Sequence, residues 1–334
     1  MIIKQILFLI LFYFFLIIYT YILSVPALLL NNNKILKIIK NFGQNLSTYI
    51  INNLNINMYL ADTKQEIIFS DSNLIDIIIC NHISSIDYII LISLLKYFNI
   101  YEYNFILKKS INYIPGLGFI MYTNTDIKIN RKWEDDKELI NSQLSNIIND
   151  EIIITDNKSK KVLIIFPEGT RFNENKLLES QKYAIENNYE KYNNLLFPKT
   201  KGLWYIINYL SNNHLLGKIW DLTIIYSNKK SFYNLFNHLD SIYLIIKEIK
   251  LLDNYQDKDI FKKWVLNIWK IKDNIIDNHK NIIYKKINIE YDSLIIKIIK
   301  YLCILGILLL SNYYGRIYLL VSFILSYILM LKKN

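Results

Sequence analysis

The stretch Leu74-Ile-Asp-Ile-Ile-Ile-Cys80-Asn-His-Ile-Ser-Ser-Ile-Asp87 decides the fold. Its first half is apolar, β-branched and too short for a buried helix, which makes it a strand of a sheet covered on both faces. Its second half places His82, two hydroxyls and Asp87 just beyond the carboxyl end of that strand. Ser84 and Asp87 have the S-x-x-D spacing of a capping box, and Tyr88 to Phe98 continues as a helix. His82 is therefore expected in a strand-to-helix turn, where open α/β sheets present their reactive groups.

A carboxylate at this distance after a histidine can turn back, accept the Nδ1 proton and leave Nε2 free as a general base. On these residues alone a blander arrangement fits as well, with Asp87 capping a helix and His82 a polar loop residue. The rest of the chain shifts the balance.

The 334 residues leave room for one large domain or two small ones. Hydrophobic residues make up 52% of them, high for a soluble protein, so part of the chain is expected in a membrane. Lys and Arg number 39 against 29 Asp and Glu, a net charge of +10 that suits an anionic lipid surface or a phosphorylated substrate. The charge forms no basic block and no nucleic-acid-binding motif is present, which argues against nucleic acid as a partner. Cys80 and Cys303 make neither a disulfide framework nor a metal site.

The chain is rich in Ile, Asn, Lys and Tyr, so its rarer residues carry the information. Its arginines are Arg131, Arg171 and Arg316. Pro115, Pro167 and Pro198 lie in the central region, with Gly116, Gly118, Gly169 and Gly202 close by. Backbone geometry or planar anion recognition that Lys, Asn and Ile cannot supply is expected at those clusters.

Read in order, Ile6 to Leu30 is almost wholly apolar, and as a helix it spans about 37 Å, enough to cross a bilayer with tilt. It reads as an uncleaved anchor, with a cleaved signal peptide the competing reading. Asn31 to Ile56 has a helical pattern, and Lys34, Lys37 and Lys40 point to a cytosolic face. This helix fits a bilayer surface or packing on the core equally well. Strands are expected at Tyr101–Leu107, Asp126–Asn130, Val162–Phe166, Asp221–Tyr226 and Ile242–Ile249, and helices at Leu203–Leu210 and Phe261–Ile276. In the last of these Trp264, Ile268 and Trp269 form an apolar stripe suited to core packing. His214, His238 and His279 read as surface residues.

The strand at Val162 ends in Phe166-Pro-Glu-Gly-Thr-Arg171. Proline stops the ladder, glycine lets the backbone approach a ligand, and Thr170 and Arg171 offer a hydroxyl and a forked cation suited to phosphate. A surface turn with an ordinary Glu–Arg pair is the alternative. Leu195-Leu-Phe-Pro198-Lys-Thr-Lys201-Gly202 is a similar strand end with two more cations. The tail from Leu294 to Leu331 is again apolar and reads as a short helical hairpin, with Lys297, Lys300, Arg316, Lys332 and Lys333 reaching for polar surroundings. Asn45-Leu-Ser and Asn157-Lys-Ser are glycosylation sequons, whose occupancy would report a lumenal core.

Taken together these clusters resemble the glycerophospholipid acyltransferase family, in its 1-acylglycerol-3-phosphate and lysocardiolipin acyltransferase branch. His82 and Asp87 match its H-x-x-x-x-D motif, preceded by Asn81 and including Ser84. Lys108 to Gly118 with Arg131-Lys-Trp-Glu-Asp-Asp136 is similar to the second motif, Phe166-Pro167-Glu168-Gly169-Thr170-Arg171 to the third, and Pro198-Lys-Thr-Lys-Gly202 to the fourth. Asp221-Leu-Thr and Trp264 with Lys272-Asp273 resemble further segments of that branch, so the likeness runs from about Asp76 to Asp273. Lys199 departs from the usual arginine and loses its bidentate fork. Phe119 and Leu203 replace a common tryptophan and phenylalanine.

The resemblance implies an α/β fold with a mixed, mostly parallel sheet flanked by helices, an N-terminal membrane helix and a C-terminal hydrophobic hairpin. The expected division is an anchor at 1–30, an interfacial helical segment at 31–72, the acyltransferase domain at 73–293 and a membrane hairpin at 294–334. The implied reaction is acyl transfer from acyl-CoA, a co-substrate, to the free hydroxyl of a lysophospholipid, with no bound cofactor and no metal. His82 is then the base and Asp87 its partner. Glu168, Gly169, Thr170, Arg171 and Arg131 would hold the substrate phosphate, and Lys108, Lys199 and Lys201 phosphates of either substrate. The expected setting is the bilayer, with the catalytic domain on the cytosolic side of the endoplasmic reticulum; protein partners are not readable. Lysophosphatidic acid is the first substrate expected and lysocardiolipin or lysophosphatidylinositol the alternative. An inactive lipid-binding scaffold, or a hydrolase using Ser84 or Ser85, would use the same fold.

Overall fold

The computed structural model describes residues 33–63, 65–70, 73–114, 126–130, 133–149, 160–227, 241–311 and 313–332. Its centre is β2 (Ile75–Cys80), every residue of which is buried. Ile78 and Cys80 face one apolar layer, where α2 (Asp87–Tyr97) contributes Ile90, Leu91 and Leu94. Ile77 and Ile79 face the other, formed by α5 (Thr200–Asn212) and α6 (Lys258–Asn278) with Leu203, Ile207 and Trp269. Burial of each such aliphatic side chain contributes about 1.5–3 kcal/mol, so a strand with two covered faces needs no polar alternation.

The eight-stranded sheet has the order β4-β3-β5-β2-β6-β7-β1-β8. β3 (Glu102–Lys108), β4 (Ile127–Ile129), β5 (Lys161–Ile165) and β6 (Leu216–Tyr226) all run parallel to β2. β7 (Ser241–Ile249) is antiparallel to β6, β1 (Asn57–Ala61) is parallel to β7, and β8 (Tyr284–Ile287) closes the edge antiparallel to β1. This is the expected mixed, mostly parallel sheet with helices on both faces. The chain leaves β2 through α2 on one face towards β3. It leaves the adjacent β5 through α4 (Glu174–Glu186) and α5 towards β6. Such connections diverge at the carboxyl ends of β2 and β5, which is where open α/β sheets place their ligands.

Asp76 is the polar residue of β2 and is buried at the opposite end of the strand. Its carboxylate accepts from the Ser70 and Lys218 amides at 3.0 and 2.7 Å and from the Trp220 indole at 3.0 Å. Gly217 must lack a side chain here, since a Cβ would overlap Asp76 Oδ1. At the other end of the domain α1 (Asn33–Asn53) packs Leu46 and Ile50 against Ile295 and Ile296 of α7 (Ser293–Ser311). Asn45 joins three elements there, accepting from Lys96 Nζ at 2.5 Å and the Asp292 amide at 2.7 Å, so this sequon asparagine is buried within the fold.

The expectation of membrane helices is corrected. Among the described residues no helix is long and apolar enough to cross a membrane. The tail does form two helices, α7 and α8 (Tyr313–Lys332). Lys297, Lys300 and Arg316 interrupt them, leaving uncharged runs from Tyr301 to Ser311 and Ile317 to Leu331, shorter than the roughly 20 residues a span requires. The anchor expected at residues 1–30 lies outside the described residues.

Candidate active site

Asn81 sets the first loop. Its side-chain amide donates to the Ile224 carbonyl at 2.9 Å and accepts from the Ile224 N–H at 2.8 Å, extending the β2–β6 ladder by one side-chain rung. His82 follows, its side chain 23% exposed and its ring stacked on Phe166 at 4.4 Å between centroids. The Phe172 N–H donates to the His82 carbonyl at 2.7 Å and so fastens the β5 loop to the β2 loop.

His82 Nδ1 lies 2.9 Å from Asp87 Oδ2. The same oxygen accepts the Ile83 and Ser84 N–H groups at 2.8 and 2.9 Å, and Oδ1 accepts the Tyr226 hydroxyl at 2.5 Å. Asp87 is fully buried and opens α2, whose N-terminal dipole favours its charge. An ionised carboxylate only accepts, so Nδ1 carries the proton and Nε2 keeps its lone pair. The expected capping box is half formed: the carboxylate reaches back to the Ser84 N–H, whereas the Ser84 hydroxyl meets the Ile86 N–H at a long 3.5 Å.

The second loop is Phe166 to Arg171. Gly169 has φ +66°, a left-handed conformation that calls for glycine, while a Cβ there would sit in ordinary contact with the Lys199 side chain. The Lys199 N–H donates to the Pro167 carbonyl at 2.8 Å, which brings the cations of the α5 start beside this turn; Pro167 and Pro198 are buried. Arg171, Lys199 and Lys201 are exposed. Lys176 Nζ donates to Thr170 Oγ1 at 2.5 Å and adds a cation that the motif spacing does not reveal. Lys108 is exposed at the carboxyl end of β3, the strand next to β5. Arg131 and residues 115–125 of the second motif lie outside the described residues. Asp136 of that motif is buried and accepts the Asn130 N–H at 2.6 Å.

Glu168 stands apart from its neighbours. It is 2% exposed, and neither carboxylate oxygen completes a hydrogen bond of normal geometry. Burial pushes its pKa well above the ordinary carboxylate value, and the facing amides of His82 and Leu196 and the Lys272 charge offset this only in part. Its folded pKa lies above that of the unfolded chain, so folding binds a proton between the two values, and this group's contribution to stability falls as the pH rises through that window. Glu168→Gln, which mimics the protonated acid, is expected to remove that slope and to leave turnover within a few-fold of the parent. A pH series of denaturant midpoints beside a turnover assay checks both.

Beneath the loops Lys272 is fully buried in a 2.6 Å ion pair with Asp221 and donates to the Leu222 carbonyl at 2.6 Å. Asp273 accepts the amides of Asn193 and Asn194 at 2.9 and 2.7 Å. The Asp221, Lys272 and Asp273 singled out in the sequence are thus structural supports of the strands and loops that carry the site.

Residues 64–193, which hold both loops, match the family model described as acyltransferase. The chain is 34% identical over 151 residues to lysocardiolipin acyltransferase 1 of Gallus gallus, an alignment covering 45% of this chain and 38% of that protein. It is 29% identical over 261 residues to a 2-acyl-1-lysophosphatidylinositol acyltransferase of Saccharomyces cerevisiae, covering 66% of this chain and 65% of that one. The chain carries an acyltransferase domain similar to those of glycerophospholipid acyltransferases. It spans between about two fifths and two thirds of the length of these curated relatives. Among solved structures, a 1-acyl-sn-glycerophosphate acyltransferase from Thermotoga maritima gives a TM-score of 0.48 at 17% identity, covering 84% of this chain and 98% of that one.

The family match ends at residue 193, so Lys199 and Lys201 are tied to the site by the Lys199–Pro167 hydrogen bond rather than by the match. His82, Asp87, Thr170 and Arg171 come together at the divergence of β2 and β5. Tyr226, Phe166 and Lys176 complete the surroundings. For Tyr226 the available signal was its place at the carboxyl end of a strand parallel to β2.

Proposed function

We propose that the chain is an acyl-CoA-dependent acyltransferase that esterifies the free hydroxyl of lysophosphatidic acid to give phosphatidic acid. The carrying observation is the 2.9 Å contact of His82 Nδ1 with buried Asp87, which leaves a partly exposed Nε2 as proton acceptor. Nε2 takes the proton of the lipid hydroxyl as its oxygen attacks the thioester carbonyl. The tetrahedral intermediate collapses, the C–S bond breaks, and the imidazolium returns the proton to the departing thiolate of CoA. Asp87 holds the ring and stabilises the imidazolium while it lasts.

The substrate phosphate is assigned to Arg171, with the Thr170 hydroxyl and the glycine turn beside it, and phosphates of either substrate to Lys108, Lys199 and Lys201. Glu168 is left out of the phosphate contacts, because a buried acid offers a phosphate neither charge nor access. Remodelling of another lysophospholipid is a second reading, favoured by the long alignment to the lysophosphatidylinositol acyltransferase. A serine hydrolase is disfavoured, since among the described residues neither Ser84 nor Ser85 hydrogen-bonds to His82.

The test is release of CoA thiol by purified protein supplied with acyl-CoA and, in turn, lysophosphatidic acid, lysophosphatidylinositol and lysocardiolipin. Thiol release that requires a lysolipid, fastest with lysophosphatidic acid, is the expected result. Release without lysolipid marks a hydrolase, and none with any lipid marks a scaffold.

A further inference from the structure

We propose that Tyr226 is a positioning residue of this site, whose hydroxyl holds Asp87 in the charge state and orientation that fix the His82 tautomer. The inference rests on the acyl-transfer reading above and deepens it.

Asp87 is fully buried, and among the described residues its ion-pair partner is His82, which is neutral in the resting base. A buried carboxylate without a permanent cation stays ionised only when its lone pairs are filled. Three N–H groups serve Oδ2, while Oδ1 has the Tyr226 hydroxyl at 2.5 Å. That hydroxyl is carried two residues beyond Ile224, the residue that Asn81 grips from the other side. One rung of side-chain ladder therefore sets both His82 and Tyr226, and the two approach Asp87 from opposite oxygens. The Ser84 side chain meets the phenol as well.

Burial and the Asp87 charge push the Tyr226 pKa well above its ordinary value, so it acts as a standing donor and relays no proton. The other ionisable groups around the pair are Cys80 on β2, Glu168 in the β5 turn, Asp221 on β6 and Lys272 on α6. All of them persist when Tyr226 is changed, so they set the baseline of a titration and not its displacement.

Removing the hydroxyl in Tyr226→Phe leaves Oδ1 without its partner and concentrates the carboxylate charge on Oδ2, against Nδ1. The imidazolium then gains over the neutral ring. The acidic limb of the kcat/KM profile is expected to move up by about half to one pH unit, with kcat about tenfold lower and both KM values within about twofold. In an Asp87→Asn background the same change has no carboxylate to act on and is expected to add nothing.

The test pairs that pH profile with a proton NMR titration of the His82 ring in the parent, Tyr226→Phe and Tyr226→Phe/Asp87→Asn proteins, which needs no turnover. A higher His82 midpoint in Tyr226→Phe, absent in the Asp87→Asn background, supports the assignment. An unmoved midpoint, whatever happens to rate or melting temperature, overturns it. A moved midpoint in a parent protein inert towards every lysolipid retains Tyr226 and rejects acyl transfer instead.

Discussion

His82→Ala is expected to lower acyl-transfer kcat by about 10³–10⁴-fold while both KM values change little. The His82 imidazole is the general base of the proposed reaction, and its Nε2 is the atom left free by the Asp87 contact. The cations of the turn after β5 and of the α5 start lie on the other side of the site and do not depend on the ring. Loss should therefore fall on kcat, with lysolipid and acyl-CoA still saturating at similar concentrations. The substitution also removes the ring stacked on Phe166 and leaves Asp87 Oδ2 with two backbone donors, so a folding control is needed. A cooperative melt close to that of the parent separates lost chemistry from lost structure. His82→Ala with undiminished turnover contradicts the assignment.

The second large effect is on stability. Lys272→Ala is expected to cost about 3–5 kcal/mol of unfolding free energy, because it strands Asp221 in the interior without its 2.6 Å partner. It also frees the Leu222 carbonyl, which lies opposite Cys80 where β2 delivers the histidine loop. Replacing both partners, as Lys272→Met with Asp221→Leu, removes the two charges together and is expected to recover most of that loss. Denaturant midpoints of the three proteins decide it. A single and a double variant equally destabilised would show that the pair matters through packing alone.

How much of this was legible in the sequence follows from which interactions are local. β2 announced itself because a strand covered on both faces must be apolar at every position but the Asp76 end, and the His82–Asp87 spacing was readable because one turn closes it. The turn after β5 stood out because Pro167, Gly169 and Arg171 are rare types in this chain, each tied to a backbone or charge requirement. β1 and β8 were not readable: β8 is Tyr-Lys-Lys-Ile at a sheet edge, where exposed lysines guard the open ladder and no alternation shows. α4 went unnoticed because Ala184 is its buried residue and no apolar stripe marks it; the Asn173 cap was its local signal.

The longer-range features had no local trace. Tyr226 is one of 27 tyrosines and lies 139 residues from the carboxylate it contacts. Glu168 reads as a ligand for substrate by its place between a proline and a glycine, yet the turn folds its side chain inward under His82. The apolar tail reads as a short helical hairpin by composition, and it does form two helices, which carry Lys297, Lys300 and Arg316 inside them; among the described residues no helix is long and apolar enough to cross a membrane.

The most direct measurement is the tautomer of His82 in the resting protein. The chain has 4 histidines, so long-range ¹H–¹⁵N spectra of the imidazole-labelled protein contain few signals, and His82→Gln identifies the one that matters. At a pH where the ring is neutral, a protonated Nδ1 and an unprotonated Nε2, with that preference lost in Asp87→Asn, are predicted. A proton on Nε2, or a tautomer balance indifferent to Asp87→Asn, would contradict the account.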